Sequence, residues 1–394
     1  MNSITTEATS TDRTNSEAPD VSVILPIFNA EPYLREALDS AIAQTHHNVE
    51  IICVNDGSTD ASLAIMQEYA SHDPRIVIDN GPNGGYGRAM NRGIGRAHGR
   101  YIAILEPDDT LMPTMFEDLL HIADRDKLDF VRADFNRFTA NDDGDYVYTV
   151  ESICHYENAL YNKILNPQDD FSLFNVRMQN WTGITRRSFI NDHRIRFHES
   201  PGARFQDNSF WFQTYCWATR IEYVNQPYYC HRDDNPNSST NRSDLMFAML
   251  DEWQWIRDYL AQFPDKERQL IRVYHHRKFH NCNFAFGKLA DDLQLPYLER
   301  FSRELNEARE AGELDLSMFS KLEVEKLELL LVSPSQYMQH YREDRSKRRT
   351  ARDFELAQRS GFIALFAYYV RAEGIIRAIG HVFHGALRRL FSGS

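Results

Sequence analysis

The chain has 394 residues, 42% hydrophobic and 12% aromatic, enough to bury a core in two domains or in one large domain with an appended module. A net charge of −13 argues against nucleic acid as a partner, which wants a basic face. Five scattered cysteines without a CxxC pair read as reduced thiols, which suits a cytoplasmic chain better than a disulfide scaffold.

Residues 1–20 are rich in Ser and Thr and lack an apolar stretch, so they read as a disordered tail and not a signal peptide. From Val21, short β-branched runs alternate with helical patterns. VSVILPI (21–27), VEIICVN (49–55), RIVID (75–79) and YIAILE (101–106) predict strands. Residues 32–44, 59–72 and 86–98 carry apolar residues at helical spacing. Near-continuous apolar strands separated by helices predict a mostly parallel sheet covered on both faces. Residues 128–150, with LDFVRADF and the turn NDDGD, read as an edge strand and hairpin. Residues 170–240 are rich in aromatics and arginine, with weak periodicity. From about 245 the chain turns helical, and a boundary is expected there. No run of 18 uncharged apolar residues appears, so no spanning helix is expected.

A sheet of this kind binds ligands at the carboxyl ends of its strands. The four predicted strands lead into PIFNAE (26–31), NDGSTD (55–60), GPNGGYGR (81–88) and EPDD (106–109). Residues two apart on an extended chain share a side, so Glu106 and Asp108 would face one point and Asp109 would join them at the strand end. Hard oxygens in such a cluster suit Mn²⁺ or Mg²⁺. Taken alone, EPDD reads equally well as a solvated, helix-capping turn. Asp56 ends its strand as an acceptor for a nucleobase N–H or as part of a capping turn. GPNGGYGR offers flexible backbone beside a helix start, with Arg88 as a cation for phosphate. Neither the GxGxxG spacing nor GxxxxGK[ST] is present, which weakens dehydrogenase and P-loop readings. Together the four loops suit a nucleoside diphosphate and its metal.

In their order, VSVILPIFNAEPYLREALDSAIAQT, VNDGSTDAS and NGGYGRAMNRGIGRAHGRYIAILEPDD resemble the family 2 glycosyltransferases, over residues 21–135 and more loosely over 175–240. The resemblance implies an α/β GT-A fold with a mostly parallel central sheet. It also implies a nucleotide-sugar donor, UDP-linked for preference. Pro26, Phe28, Glu31 and Asp56 would then hold the base, and Gly85 and Arg88 would stand near the phosphates. Glu106 and Asp108 would serve ribose and diphosphate, with the metal on Asp108 and Asp109. This chain has Glu106 where the family more often has Asp. The family's base, which deprotonates the acceptor hydroxyl in an inverting transfer, matches Asp207. Its neighbour is Gln206 where Glu is frequent, and Asp207 also reads as a simple helix cap. His231 and Arg232, in YYCHR, would close over the diphosphate, and Ser238 and Ser239 would lie in a lid. Trp181 and Trp211 are candidates for an acceptor platform, with a core role the alternative for each.

His275, His276, His280 and Cys282 lack a second zinc-ligand pair at suitable spacing, so packing is the favoured reading. Residues 361–391 form a basic amphipathic pattern, fitting either a membrane surface or a helix packed on its own protein. The expected organisation is a tail (1–20), a transferase domain (21–244, with nucleotide-sugar binding in 21–135 and the acceptor side in 136–244), an α-helical module (245–360) and the basic segment (361–394). The expected activity is metal-dependent transfer of a sugar to a hydroxyl of a cell-surface, capsular or wall glycan, lipid-linked or free. The expected place is the cytoplasm, either free or peripheral on the inner face of the cell membrane. A sugar-nucleotidyltransferase and a non-catalytic scaffold with a decayed site are the alternatives.

Overall fold

The computed structural model describes residues 18–141, 143–155, 157–236, 238 and 247–359. Most of the expected tail, Ser239 of the expected lid and the basic segment 361–391 lie outside the described residues.

Nine strands form one sheet: β1 (Val21–Ile27), β2 (Val49–Asp56), β3 (Ile76–Gly81), β4 (Tyr101–Ile104), β5 (Thr110–Leu111), β6 (Phe130–Ala140), β7 (Tyr146–Glu151), β8 (Gly183–Arg186) and β9 (Ile221–Arg232). Their order is β3-β2-β1-β4-β8-β6-β9-β5, with β7 paired to β6. The first four strands are mutually parallel; β8 is antiparallel to both of its neighbours, and β6 and β9 run parallel. Three helices follow the first three strands: α1 (Leu34–Ile42), α2 (Ser62–His72) and α3 (Tyr86–Arg96). They come close to the predicted spans because their apolar residues sit on one stripe that the sheet covers.

Two expectations change. LDFVRADF is not an edge: β6 lies between β8 and β9, and the hairpin strand β7 hangs from its far end. The fourth strand stops at Ile104, two residues short, so Glu106 stands outside the sheet. Pro26 inside a central strand is explained by the same shortening. Leu105 N–H donates to the Ile24 carbonyl, so even-numbered residues of β1 present their backbone toward β4. By Pro26 that neighbour has ended, and no ladder bond is lost for want of an N–H.

Five further helices complete the first compact unit: α4 (Met115–Asp126), α5 (Arg187–Asp192), α6 (Gln206–Trp217), α7 (Ala248–Leu260) and α8 (Pro264–Phe286). The expected boundary near 245 falls ahead of α7 and α8, which belong to this unit together with Gly312–Met318. The second unit contains α9 (Asp291–Glu310), α10 (Lys321–Val332) and α11 (Pro334–Arg359). There, Ser320 and Glu323 form a reciprocal capping box at the start of α10. Ser302 of α9 donates its hydroxyl to the Leu330 carbonyl.

Trp211 is the clearest correction to the acceptor side. It is 1% exposed, packed in the core of α6 against Tyr215 (centroids 4.2 Å) and Phe174 (5.8 Å), with the Arg277 guanidinium over its ring. An acceptor sugar has no access to it. Replacing Trp211 with Ala is expected to cost about 3–5 kcal/mol of stability, seen as a lower urea midpoint. A platform role would instead raise KM for the acceptor and leave the midpoint in place.

Candidate active site

The loops after β1 and β2 are stitched together before either touches a ligand. Asn29 N–H donates to Ser58 Oγ (3.1 Å) and Ala30 N–H to Ser62 Oγ (3.0 Å). Thr59 N–H returns a bond to Asn29 Oδ1 (2.8 Å). Glu31 and Asp60 exchange bonds across the gap: Glu31 N–H donates to Asp60, and Ala61 N–H donates to Glu31 Oε2 (both 3.0 Å). Glu31 therefore caps the start of α2. This leaves Phe28 held at the rim with half its surface exposed (50%), an open aromatic face at the carboxyl edge of the sheet.

Asp56 ends β2 almost buried, and its two oxygens accept from Gly84 N–H and Gly85 N–H, both at 2.9 Å. Each oxygen keeps a second lone pair, so the carboxylate holds the glycine loop and can still accept one more N–H. Gly85 has φ +89°, and a Cβ there would stand 2.7 Å from Ser200 O and Gly202 N. At Gly87 a Cβ would come to 1.9 Å from the His198 carbonyl. These two glycines let the 198–202 loop pack against the start of α3, and Tyr86 N–H donates to Gly202 O (3.0 Å). The space expected for phosphate beside Gly85 is filled by that loop. Arg88 is exposed and lies folded over Gly84.

The EPDD segment is a turn, closed by Asp109 N–H donating to Glu106 O (3.1 Å), with Pro107 at its second position. Alternation along a strand therefore does not bring these carboxylates together; the turn does. Asp109 points inward and is fully buried. It accepts from Tyr229 O–H (2.8 Å) and Arg232 N–H (2.7 Å), with His231 Nδ1 3.2 Å away. Its oxygens are taken up by β9, which places it as an anchor and not at the open face. Tyr229 Oη also accepts from Glu106 N–H (3.0 Å), so one hydroxyl ties both ends of the turn. Glu106 accepts from Tyr86 O–H (2.7 Å), and Asp108 accepts from Asn235 Nδ2 (2.7 Å). Tyr86, Tyr229 and Asn235 were missed in the sequence. The signal for Tyr229 was its place in the same YYCHR segment as His231.

Arg232 is committed to the scaffold, and its Nε donates to the Asp108 carbonyl (2.9 Å). Its guanidinium pairs with Glu36 (2.6 Å) and lies over the rings of Phe138 (4.6 Å), Tyr33 (4.9 Å) and Tyr146 (5.3 Å). It bolts β9 to α1 and the hairpin. His231 stacks on the partly buried Trp181 (5.4 Å, 16°), which in turn packs against Tyr229 (4.3 Å). Burial lowers the His231 ring's hold on a proton, but Asp109, Asp108 and Asp233 outweigh it and its pKa rises.

Asp207 occupies the first turn of α6, and Asn180 Nδ2 donates to its carbonyl (2.7 Å). Gln206 beside it is buried. Its amide donates to Ser200 O, Ser200 Oγ and Gly202 O, while its carbonyl oxygen accepts from Arg204 N–H (2.6 Å). A carboxylate could not donate to those oxygens, so the departure to Gln is required by the 200–204 loop.

Glu106, half-buried like Asp108 and Asp207, has both of them as charged neighbours. Burial first, then the charges of Asp109, Asp108 and Asp207, push the Glu106 pKa up to about 8, against the Tyr86 hydrogen bond. Burial and then Glu252 push Asp207 up to about 7. Burial and Asp109 also raise Asp108. The Tyr86 phenol is driven well above its ordinary value by burial and Glu106, and so stays a donor. The geometry thus assembles an aromatic rim (Phe28), a carboxylate at a strand end (Asp56) and three carboxylates held close at a cost. Such a cluster favours a cation or a proton.

A family model described as glycosyl transferase family 2 matches residues 22–193. The chain is 34% identical over 223 residues to the putative glycosyltransferase EpsH of Bacillus subtilis, a match covering 55% of this chain and 61% of EpsH. It is 30% identical over 250 residues to glycosyltransferase GlyG of Streptococcus pneumoniae, covering 62% of this chain and 79% of GlyG. It is 31% identical over 278 residues to the uncharacterized glycosyltransferase YibD of Escherichia coli, covering 65% and 78%. The chain therefore spans 61% of EpsH's length and 63% of that of the uncharacterized glycosyltransferase EpsJ of B. subtilis. Among solved structures, S. aureus TarS 1-349 superposes with a TM-score of 0.47 at 18% identity, covering 91% of this chain and 89% of that one.

The carboxylate cluster has a pH signature. An unfolded Glu or Asp releases its proton near pH 4, whereas folded Glu106 and Asp207 hold theirs to about 8 and about 7. Between those limits the folded state binds more protons than the unfolded one, so stability falls as pH rises through that window. In metal-free buffer, thermal melts of Glu106→Gln are expected to lose less Tm than wild type between pH 5.5 and 8.

Proposed function

Because this chain belongs to the family 2 glycosyltransferases, we propose that it transfers a sugar from a nucleoside-diphosphate donor to a hydroxyl of a glycan, with inversion at the anomeric carbon and with a divalent cation. The observation that carries the proposal is the convergence of Glu106, Asp108 and Asp207, whose strongest charged neighbours are other carboxylates, at the carboxyl edge of the sheet. The site's donor set fits a hard divalent cation, because it consists of half-buried carboxylate oxygens whose proton affinities are raised by burial first and by neighbouring carboxylates next. Asp108 would hold that ion; Asp109 is already occupied by β9. When bound, the ion supplies positive charge against the leaving diphosphate.

The chain's own residues do the remaining work. Phe28 offers its exposed ring to the base. The free lone pairs of Asp56 accept an imino N–H, which uracil or guanine provides and cytosine does not; this favours a UDP donor over a CDP one. Tyr86 holds Glu106 in place toward the ribose. Asp207 takes the proton of the acceptor hydroxyl as that oxygen bonds to the anomeric carbon, and the bond from that carbon to the diphosphate oxygen breaks with its electron pair leaving on the phosphate. A pKa near 7 suits a base at neutral pH. The partly buried Trp181 is the remaining aromatic candidate on the acceptor side.

Thermal-shift measurements with UDP, GDP and CDP in the presence of Mn²⁺ test the donor class: UDP is expected to raise Tm, and Asp108→Ala to abolish the Mn²⁺-dependent part of the rise. Asp207→Asn should leave that shift intact and lower nucleotide release from the donor by at least about a hundredfold. Donor turnover that survives both substitutions sinks the mechanism.

We further propose that the acceptor is lipid-linked and that the chain works at the cytoplasmic face of a membrane. The basic amphipathic pattern of 361–391 supports this reading. Among the described residues no helix is long and apolar enough to cross a membrane. The full chain should co-sediment with anionic vesicles and a chain ending at residue 360 should not; equal binding by both would refute the role of that segment.

A further inference from the structure

Beyond Asp207, the start of α6 is walled by α8 and by the strip 178–180. Asn281 of α8 donates its amide to Asn208 Oδ1 (3.4 Å) and to the Met178 sulfur (3.0 Å). Asn180, two residues after Met178, donates to the Asp207 carbonyl (2.7 Å). One turn before Asn281 on α8, the Arg277 guanidinium lies 5.4 Å over the ring of Trp211, which is one turn after Asp207 on α6. Arg277 therefore stands over the face of α6 that bears Asp207, one helical turn further along.

Three polar atoms in this wall have no hydrogen-bond partner among the described residues: Arg277 Nε, Gln179 Oε1 and Asn180 Oδ1. Asn180 is 3% exposed and Arg277 9%. The Arg277 guanidinium meets no carboxylate among the described residues. Burial pushes its pKa down to about 10, and Tyr215 is the one titratable group that favours its charge. The other two buried arginines differ. Arg132 gives its donors to the Val131 and Ile184 carbonyls and to Thr185 Oγ1, and Arg232 is paired with Glu36. The Trp211 ring holds the Arg277 plane but accepts no hydrogen bond from its edge, so the donor fork is left open.

An unpaired cation held out of water is costly, and an apolar side chain of similar length would cover Trp211 without that cost. We propose that Arg277 binds the acceptor: its guanidinium receives an oxyanion, phosphate or carboxylate, carried by the sugar whose hydroxyls bond to Asn180 Oδ1 and Gln179 Oε1. The acceptor is then an acidic or phosphorylated glycan and not a neutral one. A planar fork of N–H donors matches both kinds of oxyanion. With Glu106, Asp108 and Asp207 on the other side, an anionic acceptor is oriented with its charge toward Arg277 and a hydroxyl toward Asp207. This rests on the reading that Asp207 marks the acceptor side. Arg277 lies outside residues 22–193 and away from every motif that carries the family resemblance.

The test needs no donor. Thermal melts of the full chain in metal-free buffer are taken with glucose 6-phosphate and with glucuronate, and glucose serves as the uncharged reference. At least one charged sugar is expected to raise Tm by about 2 °C or more over glucose, and Arg277→Met to lose that rise. The two probes tell phosphate from carboxylate. Without sugar, Arg277→Met should melt no lower than wild type, because it removes an unpaired buried charge. A purely structural arginine predicts the reverse, a lower Tm with the sugar-dependent rise intact, and that result overturns the proposal. So does a wild type that answers neither charged sugar more than glucose. Should Arg277→Met not fold, Arg277→Lys, which keeps the charge but loses the fork, is expected to bind the charged sugar about tenfold more weakly, and an unchanged affinity overturns the proposal. The underlying reading fails separately: if Asp207→Asn still releases UDP from UDP-sugars at the wild-type rate, Asp207 is not the base, whatever Arg277 binds.

Discussion

The geometry of the site depends on one buried carboxylate. Asp109 has no solvent access, and a charge in that position survives only if donors surround it; Tyr229 O–H and Arg232 N–H do so, with the His231 ring beside them. That grip fixes the turn 106–109 against β9. With Asp109 turned in and Tyr229 also holding Glu106 N–H, Glu106 and Asp108 have only the open side to face. The satisfied carboxylate is what keeps its neighbours unsatisfied. A turn held less firmly would relax, swing the like charges apart and lose the attraction for a cation.

The opposite wall is set by backbone contact. Gly85 and Gly87 carry no Cβ because the 198–202 loop occupies that space, and Gln206 holds the same loop through its amide. The loop thus ties the start of α3, which bears Tyr86, to the start of α6, which bears Asp207. Tyr86 bonds Glu106, so the carboxylate turn, the glycine loop and the helix that carries Asp207 form one connected body. Asp56 extends it to β2 through Gly84 and Gly85. Pre-organisation of this kind matters to a transfer reaction, because donor, base and acceptor must hold their places while water is kept out.

Much of this was legible in the chain. The alternation of apolar strands and amphipathic helices over 21–104 placed the parallel half of the sheet, and the four strand-end loops picked out residues that gather at its carboxyl edge. What could not be read was direction. EPDD shows three carboxylates but not which one turns inward, because that depends on β9, some 120 residues later in the sequence. Arg232 shows a cation near the motif, but its aromatic box comes from Tyr33 just before α1, from β6 and from β7, which local sequence does not connect. The glycine loop suggested room for phosphate, yet the loop that fills it belongs to residues 198–202, where periodicity was weakest. Trp211 carried no local sign of depth either, since α6 is buried on nearly every face and so lacks an amphipathic stripe.

The placement of Arg232 also bears on charge balance. The cation nearest the carboxylate turn is held to Glu36, and its guanidinium is covered by three rings, so its charge is largely spent on the scaffold. His231 is committed to Asp109. Of the arginines around the site, Arg88 is exposed and Arg204 is half-buried with its Nε unpartnered among the described residues. They flank the glycine loop and the 198–202 loop. A diphosphate arriving beside Asp108 would therefore meet a negative site whose fixed positive charges stand at its margin. On the proposed reading the cation has to precede or accompany the donor, because a diphosphate arriving alone would meet uncompensated carboxylates in a half-buried space.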